Sequence, residues 1–454
     1  MGSPATFGGT AMIRGLLSGV CLCALAVSVM AQGPETIPAI SPLQATDLSP
    51  LSGASLPPTA STALLPPPPP AVTYEPGDGL TVSMMNGQSK LKLFGQFSAI
   101  GVAATTRPFP TGGTLFLLPP SSVGNRTNTF DINARQTGFG ASFAGPEIFG
   151  LTPGAYFLGF IQNDSLTSDA YGFLPFNAYG ELKNEEWRFA GGLMRDVFNP
   201  ANPTLISLLN LYASGNTGSF RGQFRAEHFY KPTEGFLLTS QIALSKPVAS
   251  VVTDNRLIED DGWPNLECRF AAGLGAVRDM AGGRKLRPVE IGASGLIGQL
   301  RNSRVTIPIN DRLIRSTVNT WGLGVDVQAA VTDRFGAIAE FFTGSGMGEY
   351  NAAIGQTFNS TTLRAIRATG GFGEVYYYFN DQIHLHAGYG IDSPLRQDLA
   401  AGQFARNQTY YANLVFDAAK GLQISGQVEY RKTDYIAFRN ADGVVFTTQF
   451  LWRF

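Results

Sequence analysis

The last twelve residues of the chain alternate between apolar and polar side chains up to the C-terminal residue. One parity carries mostly apolar and aromatic side chains and the other carries polar ones: Val444, Phe446, Thr448, Phe450, Trp452 and Phe454 against Thr447, Gln449 and Arg453. Because successive side chains of a strand point to opposite faces, this pattern predicts a β-strand with one apolar face. A strand that separates lipid from water must alternate in this way.

Sixteen strand-like segments follow one another from residue 90 onward. They lie near 90–104, 127–145, 153–164, 173–183, 187–196, 219–230, 235–245, 263–276, 286–299, 318–331, 335–343, 366–379, 382–391, 407–417, 421–433 and 443–454. Long connections, such as 105–126, 197–218 and 344–365, alternate with short ones, such as 184–186. Membrane barrels show this alternation of long external loops and short periplasmic turns. We predict an all-β fold, a closed antiparallel transmembrane β-barrel of 16 strands, with 14 or 18 as the alternatives.

The two faces of several strands can be assigned from the sequence. In the segment at 421–433, the residues expected to face lipid are Leu422, Ile424, Val428 and Tyr430, and those expected to face the lumen are Gln423, Ser425, Gln427, Glu429 and Arg431. A shift of one residue would turn charged side chains toward lipid, which costs about 2–4 kcal/mol for a basic residue at the bilayer midplane. The register is therefore well determined, and the polar interior predicts a water-filled lumen.

The N-terminal residues have a different composition. Arg14 precedes an apolar run, and Val29-Met30-Ala31 fits a signal-peptidase site, so we assign residues 1–31 to a signal peptide. Residues 32–80 are rich in proline, including five consecutive prolines at 66–70. This composition predicts a disordered periplasmic linker. The barrel is expected to occupy residues 81–454.

The sequence gives little support for catalysis or for a cofactor. No HExxH, P-loop or Ser-His pattern is present, and Gly322-Leu323-Gly324 lies in a strand with no helix after it. His384 and His386, with Glu374 on the neighbouring strand, are suitable metal ligands, but polar lining of the lumen is the favoured interpretation. We predict no enzyme activity, no cofactor, no resident metal and no nucleic-acid partner.

Three motifs resemble known membrane proteins. Residues 176–182 (FNAYGEL), 187–192 (WRFAGG) and 198–200 (FNP) resemble the stretch before the constriction loop of Gram-negative porins, and 134–140 (ARQTGFG) is similar to the second strand of DcaP-like porins. The terminal Phe454 resembles the signature that the barrel-assembly machinery recognises. The resemblance implies a sixteen-stranded, usually trimeric diffusion channel whose third loop, here 197–218, folds into the pore. Residues 205–212 of that loop are expected to form a short helix.

Charged residues at lumen positions suggest which solutes would pass. Residues 81–454 carry 32 basic and 30 acidic residues, a net charge of +2, so their bulk charge predicts no strong ion selectivity. The predicted lumen arginines are Arg135, Arg188, Arg221, Arg225, Arg269 and Arg431, and the predicted acids are Glu227, Asp326, Glu374, Asp417 and Glu429. Guanidinium groups suit carboxylate and phosphate, and acids on a facing wall would create a transverse field. The alternative is that the arginines pair with the acids and stiffen the wall.

These observations predict an outer-membrane porin for passive diffusion of small hydrophilic solutes, with a modest preference for small anions. The alternative is a surface adhesin or structural barrel without channel activity. The expected partners are outer-membrane lipid, lipopolysaccharide, the solutes themselves and two further copies in a homotrimer. Four basic residues in one predicted external loop are expected either to contact lipopolysaccharide phosphates or to be plain solvated charge: Arg301, Arg304, Arg312 and Arg315.

Overall fold

Sixteen antiparallel strands form a closed barrel in the computed structural model, which describes residues 71–110, 112–120, 128–162, 172–207, 209–248, 257–259, 263–304 and 314–454. The strands are β1 Ser89–Ala104, β2 in two segments Thr129–Asn133 and Gly138–Ala144, β3 Thr152–Gln162, β4 Gly172–Lys183, β5 Trp187–Arg195, β6 Phe220–Thr233, β7 Phe236–Ser245, β8 Asn265–Leu274, β9 Val289–Arg304, β10 Ile314–Ala330, β11 Phe335–Ser345, β12 Arg367–Tyr378, β13 Ile383–Pro394, β14 Phe404–Ala419, β15 Leu422–Tyr435 and β16 Ala441–Arg453. The fold class and the strand number are confirmed.

The barrel closes where the last strand pairs with the first. Phe450 of β16 lies opposite Ala99 of β1, and the backbone N–H of Phe454 donates to the carbonyl of Gly95 at 3.0 Å. The Phe454 ring packs against Phe97, with centroids 5.3 Å apart. Closure leaves no strand edge in the hydrocarbon region, where an unmet backbone group costs several kcal/mol.

Side-chain exposure follows the predicted alternation. Phe224 of β6 is 77% exposed and Phe446 of β16 is 51% exposed, as lipid-facing residues of an isolated barrel should be. Their neighbours Arg221, Gln223 and Gln449 point inward and are buried. A closed wall that is apolar outside and polar inside belongs in the outer membrane of a Gram-negative bacterium. Within the described residues, no helix is both long enough and apolar enough to span a membrane.

A hairpin precedes the barrel and differs from the predicted linker. Strands Ala71–Glu75 and Gly79–Met84 pair with each other, and Leu80 lies opposite Leu93 at the start of β1. The hairpin therefore lengthens the wall at the end that carries the short turns. The prediction of disorder up to residue 80 is wrong for residues 71–80, because their alternating Val72 and Tyr74 allow strand pairing. Residues 1–70, with the predicted signal peptide, lie outside the described residues.

Candidate functional site: the lumen and its loops

The connection between β5 and β6, residues 196–219 (loop 3), crosses the lumen. Its backbone N–H groups donate to acceptors on four different strands: Val197 to Glu267 at 3.0 Å, Thr217 to Glu340 at 2.8 Å, Thr204 to Glu374 at 2.6 Å and Ile206 to Gln427 at 2.8 Å. The acceptors lie on β8, β11, β12 and β15. Loop 3 is therefore fixed against the far wall by side chains that point inward.

Two inward-facing glycines give loop 3 its room. A Cβ added to Gly324 of β10 would lie 2.0 Å from the Asn199 side-chain oxygen, and one added to Gly390 of β13 would lie 2.2 Å from the Ser214 carbonyl. Gly322, two residues along β10, makes the same room for Met347 of another loop. The run Gly322-Leu323-Gly324 therefore serves close packing of loops against the wall.

The predicted short helix at 205–212 is absent from the described residues of that stretch, which form turns. Leu211 has φ 60° and Ala213 has φ 62°, both in the left-handed region. The N–H groups of Thr204 and Ile206 donate to wall side chains and are not paired within a helix. The helix prediction is wrong because the left-handed backbone at Leu211, inside the predicted span, cannot continue a right-handed helix.

Residues 346–366 (loop 6), between β11 and β12, are held to loop 3 by a buried arginine. The Arg221 side chain is 0% exposed, with Nη1 3.0 Å from Glu349 and Nε 3.4 Å from Asp196. Its guanidinium lies 3.9 Å from the centroid of the Tyr350 ring. We call Arg221, Asp196, Glu349 and Tyr350 the latch. Arg221 therefore lies beneath the loops and does not face open water.

Burial sets the protonation of the two acids in the latch. It raises the pKa of Asp196 to about 7, with repulsion from Glu267 adding to the effect and Arg221 opposing it. Burial likewise raises the pKa of Glu349, against the lowering effect of Arg221. The ionisation of the latch carboxyls is therefore more difficult than in water.

The connection between β1 and β2, residues 105–128 (loop 1), also turns inward in its described residues 105–110 and 112–120. Phe116 and Leu117 are buried in a cluster with Phe404 and Tyr435 of the wall. Arg431 Nη1 donates to the Leu115 carbonyl at 3.2 Å, and its Nε lies 2.5 Å from Glu429. Arg431 is 0% exposed and so holds loop 1 in place, out of contact with open water.

A long turn covers the opposite end of the same wall. Residues 275–288 connect β8 and β9, and Gly282 N–H donates to Asp381 at 3.0 Å in the turn between β12 and β13. The guanidinium of Arg284 lies 3.9 Å from the Tyr378 ring and 4.6 Å from the Tyr376 ring, and both rings point inward. The inner face of β8–β15 is therefore covered at both ends, and we call it the packed half.

Both predicted lumen histidines lie inside the packed half. His384 Nδ1 is 2.8 Å from His386 Nε2, and His386 Nδ1 is 2.8 Å from Glu374. Glu374 also accepts from Tyr411 at 2.6 Å and from Thr204 of loop 3. This cluster supports loop 3. Within the described residues, no group of three or more His, Cys, Asp or Glu residues is arranged to hold a metal ion.

Two cavities lie against the other wall. The narrower, about 30 Å³, lies between loops 1 and 3 and is lined by Arg135 of the β2 region, Gln162 of β3 and Ser207 of loop 3. The wider, about 640 Å³, opens at the end with the short turns, and its lining includes Tyr156 of β3 and Arg188 of β5. We call this inner face of β1–β5 the open half. The first cavity is about the size of one water molecule.

The remaining predicted site residues lie beside acids on the same stretch of wall. Arg188 is 2.6 Å from Glu181 and 2.7 Å from Glu227, Arg225 is 3.3 Å from Glu227, and Arg135 is 2.9 Å from Asp131. Arg269 is 2.6 Å from Asp326 and 3.1 Å from Glu290. These arginines therefore pair with acids that adjoin them on the wall, and the expected transverse field stays a prediction.

Several residues that line the wider cavity were not among the site residues predicted from the sequence. Lys90, Lys92, Tyr156, Tyr179, Glu181 and Lys183 line it together with Arg188. Tyr156 and Tyr179 stack with centroids 5.7 Å apart. Lys90 and Lys92 share the parity opposite to Leu91 and Leu93 in β1, so the alternation could have identified them.

Comparison with solved structures shows the fold. The outer-membrane channel DcaP of Acinetobacter baumannii matches over 81% of this chain and 98% of its own, at 15% identity and TM-score 0.61. The anion-selective porin from Comamonas acidovorans matches over 81% and 100%, at 8% identity and TM-score 0.51. OmpT of Vibrio cholerae matches over 82% and 100%, at 10% identity and TM-score 0.51.

No protein-family model matches the chain, and no curated protein sequence does. At these identities the likeness concerns the fold alone. The chain therefore has the sixteen-stranded fold of the outer-membrane porins, as DcaP and the anion-selective porin do. The predicted resemblance to DcaP-like porins is confirmed at this level.

Proposed function

We propose that the chain is an outer-membrane porin whose water-filled path follows the open half and modestly favours small anions such as carboxylates or phosphate. The lining of the 640 Å³ cavity supports this proposal. Four of its side chains are basic and one is acidic: Lys90, Lys92, Lys183 and Arg188 against Glu181. A lining of one predominant sign raises the local concentration of ions of the opposite sign.

The lumen arginines contribute to this preference unequally. Arg221 and Arg431 are buried and paired, so they act on a passing ion only at a distance. The Arg188 side chain is 19% exposed and shares two carboxylates, whereas the Lys92 side chain is 33% exposed and pairs with a more exposed Asp78. The preference is therefore expected to be modest, since neighbouring acids offset part of the positive charge.

Reversal potentials of single channels in a KCl gradient test the anion preference. We expect the wild-type channel to favour chloride, and the double variant Lys92→Glu, Arg188→Glu to shift toward potassium, because two basic groups in the open half become acidic. The matched control is Lys285→Glu, an exposed residue of the 275–288 turn on the packed side. A wild-type cation preference, or equal shifts in the control and the double variant, would refute the proposal.

A second candidate is a structural barrel or adhesin that does not conduct. The packing of loops 1, 3 and 6 into the lumen favours it, as does the small size, about 30 Å³, of the cavity between loops 1 and 3. It predicts no stepwise conductance in planar bilayers and no swelling of liposomes in small sugars. The porin proposal predicts stepwise conductance in planar bilayers and swelling of liposomes in small sugars.

We further propose a homotrimer. Its test is the mass of the protein in detergent, measured by light scattering coupled to gel filtration, before and after heating. A complex of three chains that dissociates on heating is expected. A single chain at all protein concentrations would refute the trimer while leaving the channel proposal intact.

A further inference from the structure

The outer wall carries an open groove along β12. Its volume is about 1120 Å³, and its floor is made by outward positions with small side chains: Thr343, Thr369, Gly371 and Gly373. Bulky outward residues form the sides, with Trp321 and Phe341 on one side and Ile391 and Leu395 on the other. An outward face of large apolar residues would be convex here, so the small residues create the concavity.

The groove is suited to hydrocarbon although two of its floor residues are threonines. The hydroxyls of Thr343 and Thr369 lie 3.0 Å apart and bond to each other. One hydroxyl therefore donates to the other without water, which lowers the cost of placing the pair in lipid. Gly373 has no heavy atom within 4 Å of the position where a Cβ would be, so the floor is open at that point.

Two arginines mark the upper end of the groove. Arg367 and Arg396 both line it, at the end of β12 and β13 that carries the long loops. Arg367 is held in position by both oxygens of Asp398, each at 2.8 Å. Tyr377, an exposed aromatic near the short-turn end of β12, lies ten residues away along the strand. About ten tilted residues cross the apolar band, so the arginines lie at the headgroup level of the outer leaflet.

We propose that this groove binds a phosphorylated glycolipid of the outer leaflet, a molecule of the lipid A type. Its acyl chains would lie on Thr369, Gly371 and Gly373, and its phosphate would contact Arg367 and Arg396. The assignment rests on the position of the two parts of the groove. The apolar floor lies at the depth of the acyl chains, and the two arginines lie above it at the depth of the headgroup. Arginine guanidinium suits phosphate through charge-assisted hydrogen bonds. A second copy of the chain could fill the apolar part but supplies no reason for the arginines.

Native mass spectrometry of the whole protein in detergent tests the proposal, with bisphosphorylated lipid A as the probe. We expect bound lipid A on the wild-type barrel. The variants Arg396→Glu and Gly373→Leu are expected to retain it about tenfold less, the first by repelling the phosphate and the second by filling the floor. Binding of dephosphorylated lipid A should decrease in Gly373→Leu and stay unchanged in Arg396→Glu. This difference separates the contacts of the headgroup from those of the acyl chains.

Two matched controls distinguish this site from general effects. Gly222→Leu places the same side chain at an open, outward position of β6, and Arg439→Glu reverses an exposed arginine in the loop between β15 and β16. Both should retain lipid A as the wild type does. Equal retention by all variants would overturn the proposal, as would loss of oligomers in Gly373→Leu with lipid A binding unchanged. The result is independent of conductance.

Discussion

Both halves of the lumen show the same alternation of inward and outward side chains, but loops fill one half and a cavity remains in the other. At the loop end of the packed half, inward positions carry aromatics and glycines, such as Phe342, Phe372 and Gly324, and loops fill the space. In the open half, inward positions carry Lys90, Lys92 and tyrosines, and water can enter. Inward aromatic and glycine positions therefore accompany the loops of the packed half, whereas a basic position does not by itself mark the open path, since Arg221 and Arg431 also point inward and are buried beneath loops.

The halves also differ in what their ion pairs do. The pair that holds loop 6 over the packed half is fully buried, since the Arg221 and Glu349 side chains, 3.0 Å apart, are both 0% exposed. Pairs in the open half keep some contact with water, as the 19% exposed side chain of Arg188 does. Breaking a buried pair leaves an uncompensated charge, whereas a partly solvated group can turn to water. The same substitution should therefore have different consequences in the two halves.

The largest expected effect is the loss of the latch. Arg221→Leu leaves Asp196 and Glu349 without their cation and should destabilise the protein by about 3–5 kcal/mol. Arg188→Leu should cost about 1 kcal/mol, closer to the value of an exposed pair. Urea unfolding of the reconstituted barrel measures both. Adding Asp196→Asn and Glu349→Gln to Arg221→Leu should recover much of the lost stability. Equal destabilisation by Arg221→Leu and Arg188→Leu would contradict the comparison.

Displacing loop 3 should have the next largest effect. Gly324→Val would overlap the Asn199 side chain, which lies 2.0 Å from the added Cβ, so loop 3 must move off the wall. We expect a cost of about 1–3 kcal/mol and a larger single-channel conductance. Gly426→Val is the matched control, since Gly426 of β15 points outward and has nothing within 4 Å of its Cβ position. Unchanged conductance in Gly324→Val would show that loop 3 does not limit the path.

Sequence reasoning found the wall but not the packing within it. Strict alternation placed all sixteen strands, because lipid on one face allows only one register. The alternation placed Arg221 and Arg431 on the inward face, where the structure has them. It could not show that loops cover these side chains, because the contacts join distant residues, such as Arg221 and Glu349, 128 positions apart. The helix expected at 205–212 is absent because Asn210 and Leu211 have a left-handed backbone, which the hydrophobic pattern does not reveal.

The stability of loops 3 and 6 should also depend on pH, with a smaller effect than the substitutions above. Burial raises the pKa of Asp196 to about 7 from an ordinary 3.8, with Glu267 adding to the shift and Arg221 and Arg195 opposing it. A raised folded-state pKa gives stability that is full below about pH 4 and is lost as the pH rises through about 7. Protection of loops 3 and 6 from protease should therefore decrease between pH 5 and 8. Asp196→Asn should remove this dependence, and a decrease that persists in that variant would assign it to another group.

The smallest expected effect concerns a single hydroxyl in each half. Tyr411→Phe removes the 2.6 Å bond to Glu374, which still accepts from Thr204 and His386, so loop 3 should stay in place at a cost of about 1–2 kcal/mol. Tyr156→Phe in the open half should cost close to nothing, because Tyr156 is only partly buried and stacks on Tyr179 through its ring. Unfolding midpoints measure the difference. Because Glu374 is the point where the histidine pair meets loop 3, current noise should rise in Tyr411→Phe alone, and equal noise in both variants would show that Tyr411 does not steady the loop.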